Sequence, residues 1–165
     1  MNTHKLMFIS IMLCVVFQGL AQESRREELE KRNVRLSVEF VEAIRDLNLE
    51  KIDQLSSHDF KYEFMADPKI LPFGGKHNKE EFLLHLKNRT LTSVNIEVID
   101  TIAQRNKVVI EASLTSQGPN GEFINKYALK FTFRSGKIIE MQEFSDTALF
   151  LRAFFPEKIE EDNYS

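Results

Sequence analysis

The chain has 165 residues, a formal net charge of −3 at pH 7 and a single cysteine, Cys14. This length fits one domain, and a weakly acidic chain with scattered charges lacks the basic face that nucleic-acid binding requires. A lone cysteine excludes an internal disulfide and a cysteine-ligated metal cluster. With 14 phenylalanines and no tryptophan, the core is expected to consist largely of Phe rings.

The first 21 residues have the pattern of a secretory signal peptide. Lys5 precedes an apolar run at Leu6–Phe17, and the segment ends at Ala21. The run is shorter than the roughly 20 residues that cross a membrane, so no span is expected in the mature chain. Leu13 precedes Cys14 where lipoprotein signals carry a small residue, which argues against a lipid anchor. The sequence predicts export, to the periplasm or the medium.

The helical part of the domain comes first. A helix is predicted over Glu23–Leu47, with a core-facing stripe at helical spacing: Leu36, Phe40, Ala43, Ile44 and Leu47. A short helix at Leu49–Leu55 follows. Asn78 and Glu81 have the spacing of a capping box, which predicts the start of a third helix over Lys79–Lys87.

The remaining elements are predicted as strands. Period-two alternation marks the first, Phe60–Phe64, and a loop rich in proline and glycine at 68–75 separates it from the third helix. Four further strands follow: Val94–Ala103, Lys107–Ser116, Glu122–Arg134 and Lys137–Phe144. A last apolar segment, Asp146–Phe155, begins at an aspartate that can cap a helix.

This order predicts an α+β domain, with three N-terminal helices packed on one face of a curved, mostly antiparallel sheet that forms a cone around a cavity. The predicted organisation is a signal peptide at 1–21, the domain at 22–156 and a flexible charged tail at 157–165. Phe60, Tyr62 and Phe64 share one face of the first strand. A second set shares one face of the fourth strand: Phe123, Tyr127, Leu129, Phe131 and Phe133. Most of these rings fill a core, and some can wall a small-molecule cavity.

Two short segments and the order of elements resemble the nuclear transport factor 2-like superfamily, in its SnoaL-like and ketosteroid isomerase-related branches, over residues 33–155. The segments are G-G-K at 74–76, before the third helix, and G-K-I-I-E-M at 136–141, in the final hairpin. The superfamily includes isomerases, polyketide cyclases, dehydratases, epoxide hydrolases and non-catalytic binders. The resemblance therefore implies a cone-shaped fold and leaves the function open.

The resemblance also implies that several known catalytic groups are missing. The tyrosine and two aspartates of ketosteroid isomerases fall on Phe40, Phe64 and Leu129 here, or on Lys130 if the last register slips by one residue. Without a base or an oxyanion donor, isomerisation is not expected. No strand carries the Arg-x-Asp pattern of the epoxide hydrolases. These losses argue against an enzyme of either type.

One ionisable residue, Glu143, is expected to face the cavity. The register implied by the resemblance turns three residues inward, Met141, Glu143 and Ser145, and four outward, Ile138, Glu140, Gln142 and Phe144. A carboxylate among aromatic rings loses hydration, which raises its pKa and makes it a candidate acid or base near neutral pH. The alternative is a hydrogen-bonded glutamate at the sheet's outer rim.

The predicted cavity residues are Phe40, Phe60, Tyr62, Phe64, Tyr127, Leu129, Phe131, Met141 and Glu143. No cofactor is predicted. His58, His77 and His85 are each expected to face solvent. A metal site built from His58, Asp67 and His77 is not favoured, because their spacing matches no common ligand pattern.

Three functions stay open. The first is an exported module that binds a small apolar or amphipathic molecule, with Glu143 as its polar contact. The second is a SnoaL-like lyase, cyclase or hydrolase that uses Glu143 as acid or base, with Tyr62 or Tyr127 as partner. The third is a homodimeric interaction protein with a filled cavity. The resemblance implies homodimer contacts on the outer sheet face, at Ile124, Ala128, Thr132 and Phe144.

We expect the mature protein to begin at Gln22, because the first 21 residues have the length and flanks of a cleaved signal. Intact-mass measurement of exported protein should give the mass of the chain without residues 1–21. A mass that still includes Lys5 and Cys14 would contradict the prediction.

Overall fold

The computed structural model describes residues 3–71, 73–118 and 120–155, and for residues 3–20 the backbone alone. Its elements, in chain order, are α1 (Thr3–Arg45), α2 (Leu49–Leu55), β1 (Ser56–Phe64), β2 (Gly75–Asn78), α3 (Lys79–Lys87), β3 (Thr92–Gln104), β4 (Lys107–Gly118), β5 (Gly121–Arg134), β6 (Lys137–Ser145) and α4 (Thr147–Phe154). The strands form one sheet in the order β2-β1-β6-β5-β4-β3. Adjacent strands in the sheet are antiparallel, except for β1 and β6, which are parallel. The predicted α+β fold, with helices packed on a curved sheet, is confirmed.

Helix α1 differs at both ends from the predicted Glu23–Leu47. Its backbone is helical from Thr3, and it ends at Arg45. Leu47 has a φ of 55° and is 37% exposed, so its predicted place on the core-facing stripe is wrong. The N–H of Asn48 donates to the carbonyl of Ala43 at 2.8 Å, and that of Leu47 to Ile44 at 3.3 Å. These bonds form a Schellman motif, in which the left-handed residue ends the helix and turns the chain.

The segments predicted at the two chain ends are not tested by the fold. Residues 1–21 overlap the start of α1, and their removal stays a prediction, as does export. The tail predicted at 157–165 lies outside the described residues. Within the described ranges, no helix has both the length and the apolar character needed to cross a membrane.

Helices α2 and α3 have the predicted bounds, and the capping box at Asn78 and Glu81 is present. The short strand β2 was not predicted, because proline and glycine dominate the segment before it. Gly75, the first residue of β2, has a φ of 84°, a left-handed conformation that favours glycine. Strand β2 pairs with β1 and brings His77 opposite Tyr62.

An irregularity in β6 corrects the predicted inward and outward positions. Thr132 pairs with Glu140, yet the next residue, Phe133, pairs with Ile138. The extra residue in β6 is a β-bulge, which reverses the alternation of the strand. Ile138 is therefore fully buried, and the prediction that it faces outward is wrong. Beyond the bulge, Met141 is buried as predicted.

A cluster of phenylalanines fills the core between the helices and the sheet. The ring of Phe40 on α1 lies 5.8 Å from that of Phe60, 6.2 Å from Phe82 and 5.8 Å from Phe131, measured between centroids. These four side chains are almost completely buried. Burial of each ring stabilises the fold by about 1.5–3 kcal/mol, so this cluster anchors α1 and α3 to the sheet.

The outer sheet face has a polar and an apolar part. Lys130 donates to Gln142 at 2.9 Å, and Gln142 donates to Glu63 at 2.7 Å, across three neighbouring strands. Ile124 and Phe144 are 52% and 41% exposed on the same face. The predicted homodimer through this face stays a prediction.

We expect Asn78→Ala to destabilise the fold by about 1 kcal/mol. The Asn78 side chain accepts from the N–H of Glu81 at 3.0 Å, and alanine leaves this N–H without its partner. Urea unfolding of the variant and of the wild type gives the difference. The control is Asn78→Ser, which keeps a side-chain acceptor and should lose at most a few tenths of that amount. Equal losses in the two variants would contradict the capping role.

Candidate functional site

A cavity of about 310 Å³ opens between the inner sheet face and the helices α1, α3 and α4. Its walls are mainly apolar, with Leu129 and Met141 on the sheet side and Phe82 on α3. The volume is at the lower end of the range found for small-molecule sites. The cavity exists because the phenylalanine cluster fills only part of the space under the sheet.

A hydrogen-bonded pair, Tyr62 and Glu143, lies in the cavity wall. Because β1 and β6 are parallel neighbours, Tyr62 pairs with Met141, two residues before Glu143. The Tyr62 hydroxyl donates to Oε2 of Glu143 at 2.8 Å. Glu143 is partly accessible, through the cavity, while protein atoms surround it on the other sides. Among the described residues, no Lys, Arg or His side chain forms an ion pair with it.

Burial changes the acid–base properties of this pair. It raises the pKa of Glu143 to about 7, and the hydrogen bond from Tyr62 opposes that rise. The pKa of Tyr62 is raised well above its ordinary value by burial and then by the charge of Glu143. The pKa of Tyr127 is raised for the same two reasons. Both tyrosines therefore stay protonated at neutral pH, and Glu143 changes its charge there.

Aromatic rings from α4 and from the loop before β2 close one side of the cavity. The ring of Phe73 lies 5.1 Å from Phe150 and 5.5 Å from Phe64, and Phe150 lies 4.4 Å from Phe154. Asp146 caps α4 by accepting from the N–H groups of residues 148 and 149. The helix is held in place from β5, because the Asn125 side chain donates to the Asp146 carbonyl at 3.0 Å.

Polar groups from α3 and the turn after it line an adjacent part of the wall. His85 packs against Phe73, with 4.6 Å between ring centroids, and burial lowers its pKa. Arg89 donates to the carbonyls of Ile44 at 2.6 Å and Arg45 at 2.9 Å. Arg89 thus satisfies the free carbonyls at the end of α1, which attract positive charge. Its guanidinium group is committed to that helix end.

Five of the nine predicted cavity residues line this cavity: Tyr62, Tyr127, Leu129, Met141 and Glu143. The other four belong to the core and do not line it: Phe40, Phe60, Phe64 and Phe131. They have the correct inward orientation, but neighbouring rings cover them completely. Strand alternation predicts the direction of a side chain and cannot predict how deep the packing extends over it. Contact of any of these residues with a ligand stays a prediction.

Two of the histidines are placed differently from the prediction of solvent exposure. His77 is half-buried, and its Nε2 lies 2.9 Å from the carbonyl oxygen of Phe73. His85 is half-buried in the cavity wall. His58 is exposed, as predicted. In the part of the chain that is described, no three His, Cys, Asp or Glu side chains are grouped as metal ligands.

Several cavity residues were not indicated by the sequence patterns: Phe73, His85, Arg89, Phe150 and Phe154. A signal existed for the last two, because their spacing of four residues gives one aromatic helical face in the terminal segment. His85 is three residues after the buried Phe82, so it lies on the same side of α3. Nothing in the sequence indicated Phe73, which lies in a loop.

Solved structures show the same fold. A nuclear transport factor 2-like protein from Burkholderia xenovorans LB400 is 19% identical, with a TM-score of 0.63 over 75% of this chain and 96% of its own. A protein from Jannaschia sp. CCS1, assigned as a SnoaL-like polyketide cyclase, is 18% identical, with a TM-score of 0.66 over 76% and 93%. The pinacolase BvnE from Penicillium brevicompactum is 15% identical, with a TM-score of 0.67 over 82% and 99%.

Sequence comparison agrees with the structural one. No functionally curated protein is similar enough in sequence to match the chain. The model of the SnoaL-like domain matches residues 38–141, from the second half of α1 to the inward-facing Met141 of β6. The matched segment covers more than half of the chain and includes Tyr62, Tyr127 and Leu129 of the cavity. The chain therefore belongs to the SnoaL-like domain family, within the nuclear transport factor 2-like superfamily.

Proposed function

We propose that this protein binds a small, mainly apolar molecule in the cavity, with one polar end that contacts Glu143 and Tyr62. The size of the cavity and its aromatic walls support a ligand of this kind. Aromatic side chains supply a large, rigid contact area for an apolar ligand. The polar pair on one wall would fix the orientation of the ligand.

The observation that carries the proposal is the position of Glu143. Burial of a carboxyl group with only one hydrogen bond costs free energy, which a core selected only for stability would avoid. An apolar residue at position 143 would fill part of the same space without that cost. A carboxyl group without a charged partner among the described residues, in a mainly apolar cavity, therefore supports a role in binding or in chemistry.

A second candidate function is acid–base chemistry on the bound molecule. Burial brings the pKa of Glu143 to about 7, where a carboxyl group can accept or donate a proton at neutral pH. Tyr62 holds one carboxylate oxygen and leaves the other open to the cavity. BvnE is a pinacolase with this fold, and the Jannaschia protein is assigned as a polyketide cyclase, which supports the candidate by analogy alone.

We expect a neutral, apolar fluorescent probe, phenylnaphthylamine, to bind the wild type and to bind Ala112→Leu at least about tenfold more weakly. Ala112 is fully buried on the inner face of β4 and lines the cavity, so a longer side chain occupies ligand space. The nitrogen of this probe is not basic, so its binding reports on the apolar cavity alone. Fluorescence titration gives the affinities.

The matched control is Ala128→Leu, at an exposed position on the adjacent strand β5. It adds the same atoms to the outer face and should leave probe affinity unchanged. Thermal melts of both variants establish that they are folded at the titration temperature. Equal affinity of the two variants, or no probe binding by the wild type, would contradict the proposed function.

Glu143→Gln should make the protein more stable above about pH 7 and leave its stability nearly unchanged below about pH 4.5. The folded-state pKa of Glu143 is raised from 4.5 to about 7, so ionisation opposes folding increasingly as the pH rises through this window. Above it, the full cost is on the order of 3 kcal/mol, and glutamine removes it. Urea unfolding across this pH range measures the difference.

The control for this prediction is Glu122→Gln, at an exposed position near the start of β5. It should change stability by no more than about 0.5 kcal/mol at any pH. A pH-independent difference between wild type and Glu143→Gln would mean that the carboxyl group is solvated, and it would remove the basis of the acid–base candidate.

A further inference from the structure

None of the described Lys, Arg or His side chains forms an ion pair with the Glu143 carboxylate. Its Oε2 accepts the hydrogen bond from Tyr62, and no donor among the described residues contacts its Oε1. The residue lines the cavity, so Oε1 is available to a bound molecule. A buried carboxylate is stabilised by a proton or by a cation. The described residues supply no cation at this position, so a ligand can.

Aromatic rings line the cavity that contains Glu143. Tyr62 and Tyr127 line the cavity beside Glu143, and Phe73 and Phe150 line the wall formed by α4 and the loop before β2. The faces of aromatic rings carry partial negative charge and attract cations, most strongly when water is excluded. A carboxylate in a cavity lined by several aromatic rings is a suitable environment for an ammonium group.

The other titratable groups that face Glu143 do not replace such a ligand. His77, on β2, stacks on Tyr62, and His85, on α3, has a pKa lowered by burial and is neutral at neutral pH. Arg89 is positively charged, but its guanidinium group donates to the two carbonyls at the end of α1. Tyr62 and Tyr127 stay protonated and carry no charge.

We propose that the ligand is a small hydrophobic amine, whose ammonium group pairs with Glu143 and whose apolar part lies along Phe73 and Phe150. This inference rests on the binding function proposed above and adds the chemical class of the ligand. An ammonium group would donate to the open Oε1 and supply the missing positive charge. A carboxylic acid of the same size would place a second negative charge against Glu143, and an alcohol would offer a hydrogen bond without charge.

Three probes of nearly equal shape test the inference: phenylbutylamine, phenylbutanol and phenylbutanoate. Their affinities are measured by titration calorimetry at about pH 6 and about pH 8, on the wild type and on Glu143→Gln. At the higher pH we expect the amine to bind at least about tenfold more tightly than the alcohol, and the carboxylate to bind most weakly. Lowering the pH should weaken amine binding about tenfold, because a pKa of about 7 leaves roughly a tenth of Glu143 ionised there.

Glu143→Gln keeps the shape of the cavity and removes the charge. In this variant the amine should lose its advantage over the alcohol at about pH 8, because glutamine offers hydrogen bonds without a charge. His77 and His85 are unchanged in the variant, so any pH dependence of amine binding that remains comes from groups other than Glu143. Near-ultraviolet circular dichroism establishes that the variant keeps its fold.

Equal affinity of amine and alcohol for the wild type at both pH values would overturn the amine inference and leave cavity binding intact. Tightest binding of the carboxylate would overturn it as well, because a second negative charge beside Glu143 would then be favoured over a positive one. If none of the three probes and no phenylnaphthylamine binds, the proposed binding function fails together with the inference.

Discussion

Strands β1 and β6 run parallel to each other inside an otherwise antiparallel sheet, although the first strand and the last are separated by most of the domain. The hydrogen bond between Tyr62 and Glu143 joins residues 81 positions apart. A parallel pair needs a long connection, and here α3 and the strands β3, β4 and β5 return the chain to β1. This pairing places Tyr62 opposite Met141, two residues before Glu143 on β6. The Tyr62 hydroxyl can therefore reach the Glu143 carboxylate, and the two side chains form the polar part of the cavity wall.

The bulge in β6 determines which residues of that strand reach the inside. Without it, strict alternation through Met141 and Glu143 would turn Ile138 outward and remove it from the core. With it, the strand contributes a buried isoleucine at one end and a carboxyl group at the other. A bulge also increases the local twist of a sheet, which helps the sheet to curve around the cavity.

The phenylalanines divide into two groups with different consequences. Phe40, Phe60, Phe82 and Phe131 pack against one another and fill the space between α1, α3 and the sheet. The rings of the second group, Phe73, Phe123, Phe150 and Phe154, pack in a layer between α4 and the sheet. The cavity is lined by Phe82 of the first group and by Phe73, Phe150 and Phe154 of the second. It depends on α4, which has no fully buried residue and is held by its cap and by Asn125.

Sequence patterns predicted the features that depend on neighbours along the chain. The capping box at Asn78, the cap at Asp146 and the alternation of Phe60, Tyr62 and Phe64 all involve residues at most four positions apart. The inward orientation of Glu143 needed the register implied by a family resemblance, because its own strand is mixed in polarity on both faces.

The features that the sequence did not predict depend on contacts between distant segments. Strand β2 forms because β1 offers it a free edge, and Ile138 turns inward because of a bulge that only the pairing with β5 defines. Phe64 is covered by surrounding core side chains, whereas Tyr127 lies at the cavity wall, and this difference depends on contacts between distant segments. His85 reaches the cavity because α3 packs by way of Phe82.

The properties that make Glu143 a partner for an ammonium group also make it a potential base, but one ligand cannot use both. A cation beside the carboxylate would stabilise its charged form and lower its pKa again, which weakens it as a proton acceptor near neutral pH. A neutral ligand would leave the pKa of Glu143 near 7 and the carboxylate able to remove a proton. Binding of an amine and acid–base chemistry are therefore alternatives at this site, and the charge of the natural ligand decides between them.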